Sequence, residues 1–319
     1  MRIVYLTAPW ILAASALWAC SATAPDGGGD GTDTPDGGDS ADDGFGDDGF
    51  GDDSSTDGSG LGGNGPEEDC DAVLEVTYRD FKGAAETGGH VDFERPGFYG
   101  SNDMGCQMVG LTTVDNKPTF ASGIGLQKRK FVGGNGYQLF DGCVAWDWSP
   151  GADQNVIISA DSFSTWYKTT EGVNQEIKAS LTLTETAEGS GIFAYDSATT
   201  GGFYPIDGQG FGNTPNQAHN YSFTTEAHVR FGYVQGQKFT FTGDDDLWIF
   251  VNGKLALDLG GMHEKFQDTL DFDAKASALG IAPGQSYQMD IFHAERHTND
   301  SNFRVETNIK CFAPVPGVN

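Results

Sequence analysis

The chain has 319 residues, of which 46 are Asp or Glu and only 18 are Lys or Arg, so its formal net charge is −28. The acids are unevenly spread: residues 26–69 hold 15 of them and no Lys or Arg, while residues 70–319 carry a net charge of −14. An acidic chain without a cluster of basic residues is repelled by phosphate backbones and by anionic lipid headgroups. The composition therefore argues against nucleic acid as a partner and against electrostatic docking on a membrane, and it is compatible with neutral carbohydrate and cations.

The N-terminus has the pattern of an export signal. Arg2 precedes an apolar run that is too short and too interrupted for a membrane-spanning helix. The segment Leu17–Cys20 is similar to a bacterial lipobox, in which the Cys becomes the acylated first residue; cleavage after Ala24 is the alternative. We predict a lipoprotein signal peptide over residues 1–19 and lipidation of Cys20. The protein would then lie at the bacterial outer membrane or cell surface, and only this lipid would contact the membrane.

The next segment is typical of a linker. Residues 26–69 consist mostly of Gly, Asp, Ser, Thr and Pro. Such a segment cannot bury enough apolar surface to offset the entropy of its chain, so we predict a disordered acidic linker over residues 20–69. It would hold a domain at residues 70–319 away from the membrane. A loosely calcium-binding string is the alternative, but the segment lacks the regular spacing of calcium-binding nonapeptide repeats.

Residues 70–319 are predicted to form one large all-β domain, because helical periodicity is scarce and strand-like runs recur between Gly, Pro, Asn and Asp clusters. Gln175–Thr186 alternates between apolar and polar residues, as a half-buried antiparallel strand does. Leu247–Val251 is apolar on both faces, which indicates a central strand covered on both sides. Asn252 and Gly253 predict a two-residue hairpin turn, and a short helix is predicted near Asp273–Leu279.

The full set of predicted strands is Ala72–Phe81, Val156–Ile158, Gln175–Thr186, Ala227–Val234, Lys238–Thr242, Leu247–Val251, Lys254–Leu259, Ser286–Phe292 and Phe303–Cys311. An array of this kind is typical of an antiparallel β-sandwich or a barrel.

The cysteines predict disulfides. If Cys20 carries lipid, four cysteines remain, and an even number in an exported protein favours two bridges. Three connectivities are possible. We favour Cys106–Cys143 within a central excursion, together with Cys70–Cys311, which would tie the two ends of the domain together. A zinc site fits less well, because the chain has no CxxC pair.

The most distinctive motif is an acidic corner at Gly243–Trp248. Asp244, Asp245 and Asp246 stand between two runs rich in β-branched and aromatic residues. Adjacent carboxylates repel one another, so they require a cation, a proton or full solvation. Calcium is a hard cation that prefers oxygen ligands, and it would compensate this charge. A solvated acidic turn is the alternative.

Several motifs, taken in their order along the chain, resemble the fibro-slime domain, which is related to the lectin-like domain of anthrax protective antigen. They are Tyr78-Arg-Asp-Phe81, Val91-Asp-Phe-Glu94, Lys117-Pro118, Gly243–Trp248, Leu257–His263, Ala294–Thr298 and Ser301–Arg304. The resemblance spans nearly all of residues 77–311. It implies a two-sheet β-sandwich of the kind found in bacterial surface proteins, glycosidase accessory domains and yeast adhesins.

The resemblance also implies a site. Relatives in the adhesin branch bind sugar through a calcium ion, which is held by an Asp-Asp pair and by Asn side-chain and carbonyl oxygens of a later loop. By position, Asp244 and Asp245 would be the pair, with Asp245 and Asp246 as the alternative. The candidates in the later loop are Asn299, Asp300 and Asn302.

Further residues are candidates for contact with a ligand, namely Trp248, His263, Glu295 and His297. His263 follows a Gly-Gly turn and is expected to reach the acidic loop, either for a structural hydrogen bond or for chemistry. His293 alternates with Glu295 and His297 along a predicted strand, and such a set can bind a metal through nitrogen and oxygen. Pairing of Glu295 with a cation such as Arg296, and packing of His293, are the alternatives.

Other aromatic residues allow two interpretations. Trp146 and Trp148, and the pair Trp166 and Tyr167, would stack on sugar rings if they were exposed. Packing in the core is the default for large aromatic side chains in a β domain, and we favour it.

Three hypotheses of function follow. The first is a lipid-anchored surface module that binds carbohydrate or another surface polymer with calcium. The second is a structural component of extracellular matrix or slime that acts by protein–protein contact. The third is a glycoside hydrolase that uses a pair such as Asp245 and Glu295. The sequence has no nucleophile elbow, zinc-peptidase helix or phosphate loop, so we expect a protein that is not an enzyme.

Overall fold

The computed structural model describes residues 72–95, 105–131, 137–145, 155–315 and 317. The predicted signal peptide with Cys20, the linker, Cys70, Trp146 and Trp148 lie outside the described residues. Within these ranges no helix has the length and apolar character needed to cross a membrane.

The regular structure is mostly β. In chain order the strands are β1 (Val73–Phe81), β2 (Gly105–Cys106), β3 (Val109–Val114), β4 (Lys117–Phe120), β5 (Leu126–Phe131), β6 (Tyr137–Val144), β7 (Asn174–Thr182), β8 (Thr184–Glu185), β9 (Phe193–Asp196), β10 (Phe223–Gly232), β11 (Lys238–Gly243), β12 (Asp246–Val251), β13 (Lys254–Leu259), β14 (Phe266–Asp271), β15 (Ser286–Glu295), β16 (Phe303–Thr307) and β17 (Ala313–Pro314). The helices are α1 (Ala160–Phe163) and α2 (Phe272–Leu279), and Ser197–Thr200 form a 3-10 turn.

Two antiparallel sheets dominate the described part of the chain. The larger follows the order β4-β3-β13-β12-β15-β10-β1-β7, with β17 paired beside β10, and the smaller follows β14-β11-β16-β9-β8. A small third sheet joins β2, β5 and β6. The fold is therefore an antiparallel two-sheet β-sandwich with long loops and short helices, which confirms the predicted fold class.

The central strand β12 carries two cores. Leu247, Ile249 and Val251 belong to the main core, which includes aromatic residues of β11 in the smaller sheet. Trp248 and Phe250 belong to a second core, in which residues of the excursion between β1 and β7 pack on the other face of the strand. All six residues of β12 are buried. This arrangement explains why the strand is apolar on both faces, and it confirms the prediction of a strand covered on both sides.

Other local predictions are confirmed with small shifts of boundary. The helix begins at Phe272, with the Asp271 side chain accepting the Ala274 N–H at 3.1 Å as an N-cap. The predicted hairpin turn has positive φ at Asn252 (53°) and at Gly253 (72°), as a type I′ turn requires.

Two predicted strands differ from the structure. The predicted single strand Gln175–Thr186 is divided between β7 in the larger sheet and β8 in the smaller one, and Ala179, which the alternation places on the buried face, is exposed. Val156–Ile158 form no strand. Val156 and Ile157 are apolar because they are buried in the second core, and their N–H groups both donate to the Gly123 carbonyl, at 2.7 and 2.9 Å. A short apolar run cannot by itself distinguish a strand from a buried loop.

The cysteine prediction is confirmed where the structure tests it. Cys106 and Cys143 form a disulfide. Cys311 is also disulfide-bonded, while Cys70, its predicted partner, lies outside the described residues.

A buried ion network lies within the larger sheet. Arg79 Nη1 is 2.5 Å from Glu226 Oε2, and Lys117 of β4 contacts the other oxygen of that carboxylate. His228 lies between two acids, with Nε2 2.6 Å from Glu226 Oε1 and Nδ1 2.7 Å from Asp290 Oδ1. Burial lowers the pKa of His228, but the hydrogen bonds to Asp290 and Glu226 outweigh burial and raise this pKa above its ordinary value of 6.5. The network therefore joins four strands, β1, β4, β10 and β15, and the two carboxylates favour the charged form of His228.

This network predicts the pH dependence of stability. A group whose pKa is raised by folding contributes stability that is fully present below its unfolded pKa and is lost as pH rises through its folded pKa. We expect the free energy of unfolding to fall as pH rises above 6.5, and the His228→Gln variant to lack this component. Denaturant titrations at several pH values measure it.

A matched control separates the charge effect from general destabilisation. Ile249→Val should lose about 0.5–1.5 kcal/mol of stability and keep the pH slope of the parent protein. A parent slope that His228→Gln leaves unchanged would contradict the assignment to His228.

Candidate functional site

The acidic corner lies where strands pass between the two sheets. Gly243 ends β11 in the smaller sheet, and Asp246 begins β12 in the larger one. Beside it, β15 of the larger sheet leads to β16 of the smaller. Since Gly243 pairs with Phe303 and Asp246 pairs with Ala294, the two crossings are held side by side. Two loops that are remote in sequence, 244–245 and 296–302, therefore meet at one end of the sandwich.

Asp244 binds the second loop directly. Its Oδ1 accepts the backbone N–H of Asn302 at 2.5 Å, and its Oδ2 accepts the Asn302 side-chain amide at 2.8 Å. The carbonyl of Asp244 is 2.9 Å from His293 Nε2. The Asp244–Asp245 and Thr298–Asn299 peptide bonds are both cis.

Asp245 is held by backbone groups from two other segments. Its Oδ1 accepts the His263 N–H at 3.1 Å, and its Oδ2 accepts the Arg296 N–H at 3.1 Å. The residue is only 5% exposed. Asp244 and Asp245 are thus both buried, and the Asn302 amide donates to Asp244.

Asp246 has a different partner. Its Oδ2 is 2.6 Å from both Nε and Nη2 of Arg296, and its Oδ1 accepts the Gly261 N–H at 2.6 Å. Both residues are fully buried. Because this carboxylate is paired with a guanidinium, Asp246 is less suited than Asp244 and Asp245 to hold a cation.

Arg296 has further partners besides Asp246. Its Nη1 donates to the carbonyls of Asp92 (3.2 Å) and Val156 (2.9 Å), and its guanidinium lies 4.7 Å from the centre of the Trp166 ring. Sequence reasoning considered Glu295 as a partner of Arg296, whereas the structure pairs Arg296 with Asp246. Adjacent residues of a strand point to opposite faces, which is why Glu295 and Arg296 reach different surroundings.

Glu295 is a third carboxyl group beside the pair. It is fully buried, and its Oε1 accepts the His297 N–H at 3.3 Å. Its Oε2 accepts no hydrogen bond of ordinary geometry within the described ranges, although the Ser301 hydroxyl is near enough to lower the pKa of this carboxyl group. A buried carboxyl group with so few donors requires compensation, by protonation, hydrogen bonding or a cation.

The electrostatics of the corner agree with this requirement. Burial, with a smaller contribution from the charge of Asp300, raises the pKa of Asp244 to about 6. Burial also raises the pKa of Asp245, although Arg296 opposes the shift. The pKa of Glu295 is raised by burial and then by the charges of Asp245 and Asp244. Crowded carboxyl groups with raised pKa values are the setting in which a bound cation stabilises most.

Two residues of the second loop, Asn299 and Asp300, are exposed, and Asn302 is partly buried. The Asn299 carbonyl accepts the Tyr221 hydroxyl at 2.9 Å. The charge of Asp300 acts on Asp244, and the Asn302 amide presents its N–H group to the same carboxylate. Calcium prefers carboxylate, carbonyl and amide oxygens, so the Asn302 amide would have to turn its oxygen inward to serve as a ligand.

The other predicted ligand contacts have varied outcomes. The prediction that Trp248 contacts a ligand is wrong, because its side chain is fully buried against Trp166 and Phe163 in the second core. His263 does reach the acidic loop, but through its backbone N–H, and it is only 6% exposed. His297 lies beyond the end of β15, with Nδ1 3.7 Å from Glu94 Oε2.

Two further findings concern the alternatives. In the ranges that the structure describes, no group of three or more His, Cys, Asp or Glu side chains is arranged to hold a metal ion. This applies to His293, Glu295 and His297, and equally to Asp244 and Asp245 with Glu295 or Asp300. Trp166 and Tyr167 are buried, as core packing predicts.

Sequence reasoning missed Glu94, whose Oε1 accepts the Thr298 N–H at 2.6 Å. Its signal was the motif Val91–Glu94.

Comparison with known proteins gives partial matches. No protein family model matches the chain. It is 37% identical to the protein psiQ of Dictyostelium discoideum over 50% of this chain and 17% of the relative, and 38% identical to psiC over 48% and 30%. It is 35% identical to psiR over 62% of this chain and 20% of that relative. The chain thus spans less than a third of the relatives' length, and the likeness fits a fibro-slime domain.

Solved structures are less similar. The PA14 domain of the MpAFP antifreeze protein aligns with a TM-score of 0.21 and 11% identity, over 33% of this chain and 50% of that chain. A score this low carries no argument.

The Arg296–Asp246 pair predicts a large effect on stability. Arg296→Met leaves a buried carboxylate unpaired, so we expect a loss of about 3–5 kcal/mol in the free energy of unfolding. Adding Asp246→Leu should recover at least half of this loss, because replacing both partners of a buried pair by apolar residues is often nearly neutral. Denaturant unfolding measures all three proteins.

Arg304→Met is the matched control. The ion pairs of Arg304 with Asp196 and Glu306 are about one-third exposed, so its loss should stay within about 1 kcal/mol. Equal losses in Arg296→Met and Arg304→Met would contradict the role given to Arg296.

Proposed function

We propose that residues 70–319 form a fibro-slime domain that binds neutral carbohydrate at a surface through one calcium ion. Asp244 and Asp245 would supply the carboxylates, and Asn302, with Asn299 or Asp300, would complete the protein ligands. The open coordination positions of the ion would then take vicinal hydroxyl groups of a sugar. The protein would be exported, anchored by a lipid on Cys20 and raised from the membrane by its acidic linker.

The observation that carries the proposal is the meeting of two loops at the sheet crossings. It brings two buried carboxylates with raised pKa values next to an amide side chain and an exposed loop. The negative charge of residues 70–319 further favours a cation and a neutral ligand over an anionic one. We propose a binding module rather than an enzyme, in which Glu295 tunes the charge of the corner.

The second candidate is a structural matrix component, in which any calcium would only rigidify the corner. It is favoured by the extent of the hydrogen bonding between the two loops, because each oxygen of Asp244 and Asp245 already accepts an N–H. Such a module should bind no glycan and should associate with itself.

Calcium titration tests the proposal. We expect stoichiometric binding to the full-length protein by calorimetry, and its loss in an Asp244→Asn/Asp245→Asn variant, because the two carboxylates provide the charge that holds the ion. Calcium at about 100 times its Kd should also stabilise the parent protein by about 2.7 kcal/mol, and a chelator should remove this gain.

The control variant is Asp268→Asn, which removes an acid that pairs with Lys128 outside the corner. Since its linker is unchanged, it also accounts for loose binding by the 15 linker acids. Binding that persists in the double variant would reject the corner as the calcium site. No stoichiometric binding at all, with self-association, would favour the structural role.

A further inference from the structure

A second feature borders the acidic corner. The segment 201–222, between β9 and β10, is tied to the second loop at Phe203. The Phe203 N–H donates to the Ser301 carbonyl at 2.8 Å, and the Ser301 hydroxyl donates to the Phe203 carbonyl at 2.9 Å. Phe203 also stacks on Phe303, with ring centres 4.4 Å apart. The next residue, Tyr204, is therefore fixed beside the loop that carries Asn299 and Asn302.

Tyr204 and His219 form a stacked pair of rings. Their centres are 3.7 Å apart and their planes differ by 5°. His219 Nδ1 is 2.5 Å from Asp207 Oδ2, which holds the imidazole in place. The His219 side chain is 39% exposed and Tyr204 is partly exposed. The pair thus presents aromatic surface to solvent, unlike the tryptophans of the second core, which are buried.

The stacked pair is connected to the corner through a third ring. The Tyr204 hydroxyl is 3.3 Å from the Tyr221 hydroxyl, and Tyr221 donates to the Asn299 carbonyl at 2.9 Å. The charges of Glu295 and Asp300 are among the causes that raise the pKa of Tyr204, after burial and Tyr221. Both acids belong to the corner, so Tyr204 lies within electrostatic reach of it.

The backbone around the rings is built to hold them. Gly202 has φ of 138°, and a Cβ there would lie 2.3 Å from the Tyr204 ring. The fully buried Asp80 anchors the same segment: its Oδ1 accepts the Asn220 amide at 2.8 Å and its Oδ2 accepts the Phe211 N–H. These contacts preorganise the stacked pair, which lowers the entropy cost of binding.

Pyranose rings combine the two kinds of surface that this region offers. Their edges carry vicinal hydroxyl groups, and their faces carry apolar C–H groups that pack on aromatic rings. We infer that the stacked rings of Tyr204 and His219 form a second subsite, which receives the apolar face of a pyranose whose hydroxyl groups reach the acidic corner. This inference rests on the proposed function and adds to it the ligand class: ring sugars, in preference to acyclic polyols and to peptides.

The test compares ring and open-chain ligands on the calcium-loaded, full-length protein. The probes are methyl α-mannopyranoside, methyl β-galactopyranoside and N-acetylglucosamine, with sorbitol as the acyclic polyol. We expect at least one pyranoside to bind more tightly than sorbitol. Tyr204→Ala should weaken that pyranoside about 3- to 10-fold, as expected for the loss of one aromatic contact, and should leave calcium and sorbitol binding unchanged.

Tyr204→Phe is the matched control, because it keeps the ring and removes only the hydroxyl group. It should retain pyranoside binding within about twofold of the parent protein. Near-ultraviolet circular dichroism checks that each variant is folded, and Gly202→Ala, which displaces the ring while leaving Tyr204 in the sequence, should reproduce the loss.

The outcomes separate the two claims. Calcium-dependent pyranoside binding that Tyr204→Ala does not weaken would overturn the second subsite and leave the proposed function standing. Equal affinity for pyranosides and sorbitol would also overturn the subsite. Absence of binding to every probe, in a parent protein that binds calcium at Asp244 and Asp245, would overturn both the subsite and carbohydrate as the ligand.

Discussion

The buried guanidinium group of Arg296 lies at the end of the sandwich where the chain crosses twice between the two sheets, from β11 to β12 and from β15 to β16. Arg296 neutralises Asp246, spans to the carbonyls of Asp92 and Val156, and packs over Trp166. It thus links a strand crossing, the motif around Asp92 and the second core. A charge in this position is costly unless it is paired. The Asp246 carboxylate supplies the pairing charge, and two backbone carbonyls accept from Nη1. Asp244 and Asp245 lie beside this pair without an ion pair to Arg296.

The three consecutive acids have different partners because they lie at different points along the crossing from β11 to β12. Asp246 lies at the start of β12 and points to Arg296, while Asp244 and Asp245 lie in the crossing and point to the second loop. A run of like charges is therefore not one site. Asp246 is a structural anchor that pairs with the Arg296 guanidinium. Asp245 accepts the Arg296 N–H, and its pKa is lowered by the charge of Arg296 but raised more by burial.

Sequence reasoning predicted the parts of the molecule that depend on local pattern. The doubly apolar β12, the turn at Asn252 and the pairing of Cys106 with Cys143 all have local or compositional causes. The alternation of Gln175–Thr186 did not show that the chain changes sheets after Thr182. The failures depend on tertiary packing. Trp248 sits beside the acidic corner in sequence, but the strand alternation sends its ring into the second core, on the side opposite to Leu247. The stacked Tyr204 and His219 lie 15 residues apart in a segment without periodicity, so no pattern could have joined them.

The candidate site also has a bearing on how folding is completed. Its two loops are separated by 58 residues in the chain, and they meet only when β11 has paired with β16 and β12 with β15. Non-local strand pairings of this kind form late, because the chain loses the entropy of closing a long loop before the new contacts stabilise it. A ligand that requires both loops has no affinity for an earlier state, and therefore acts only on the finished fold. A partly folded chain carries all of the acids and none of the site, so occupancy of the corner would report that the sandwich is complete.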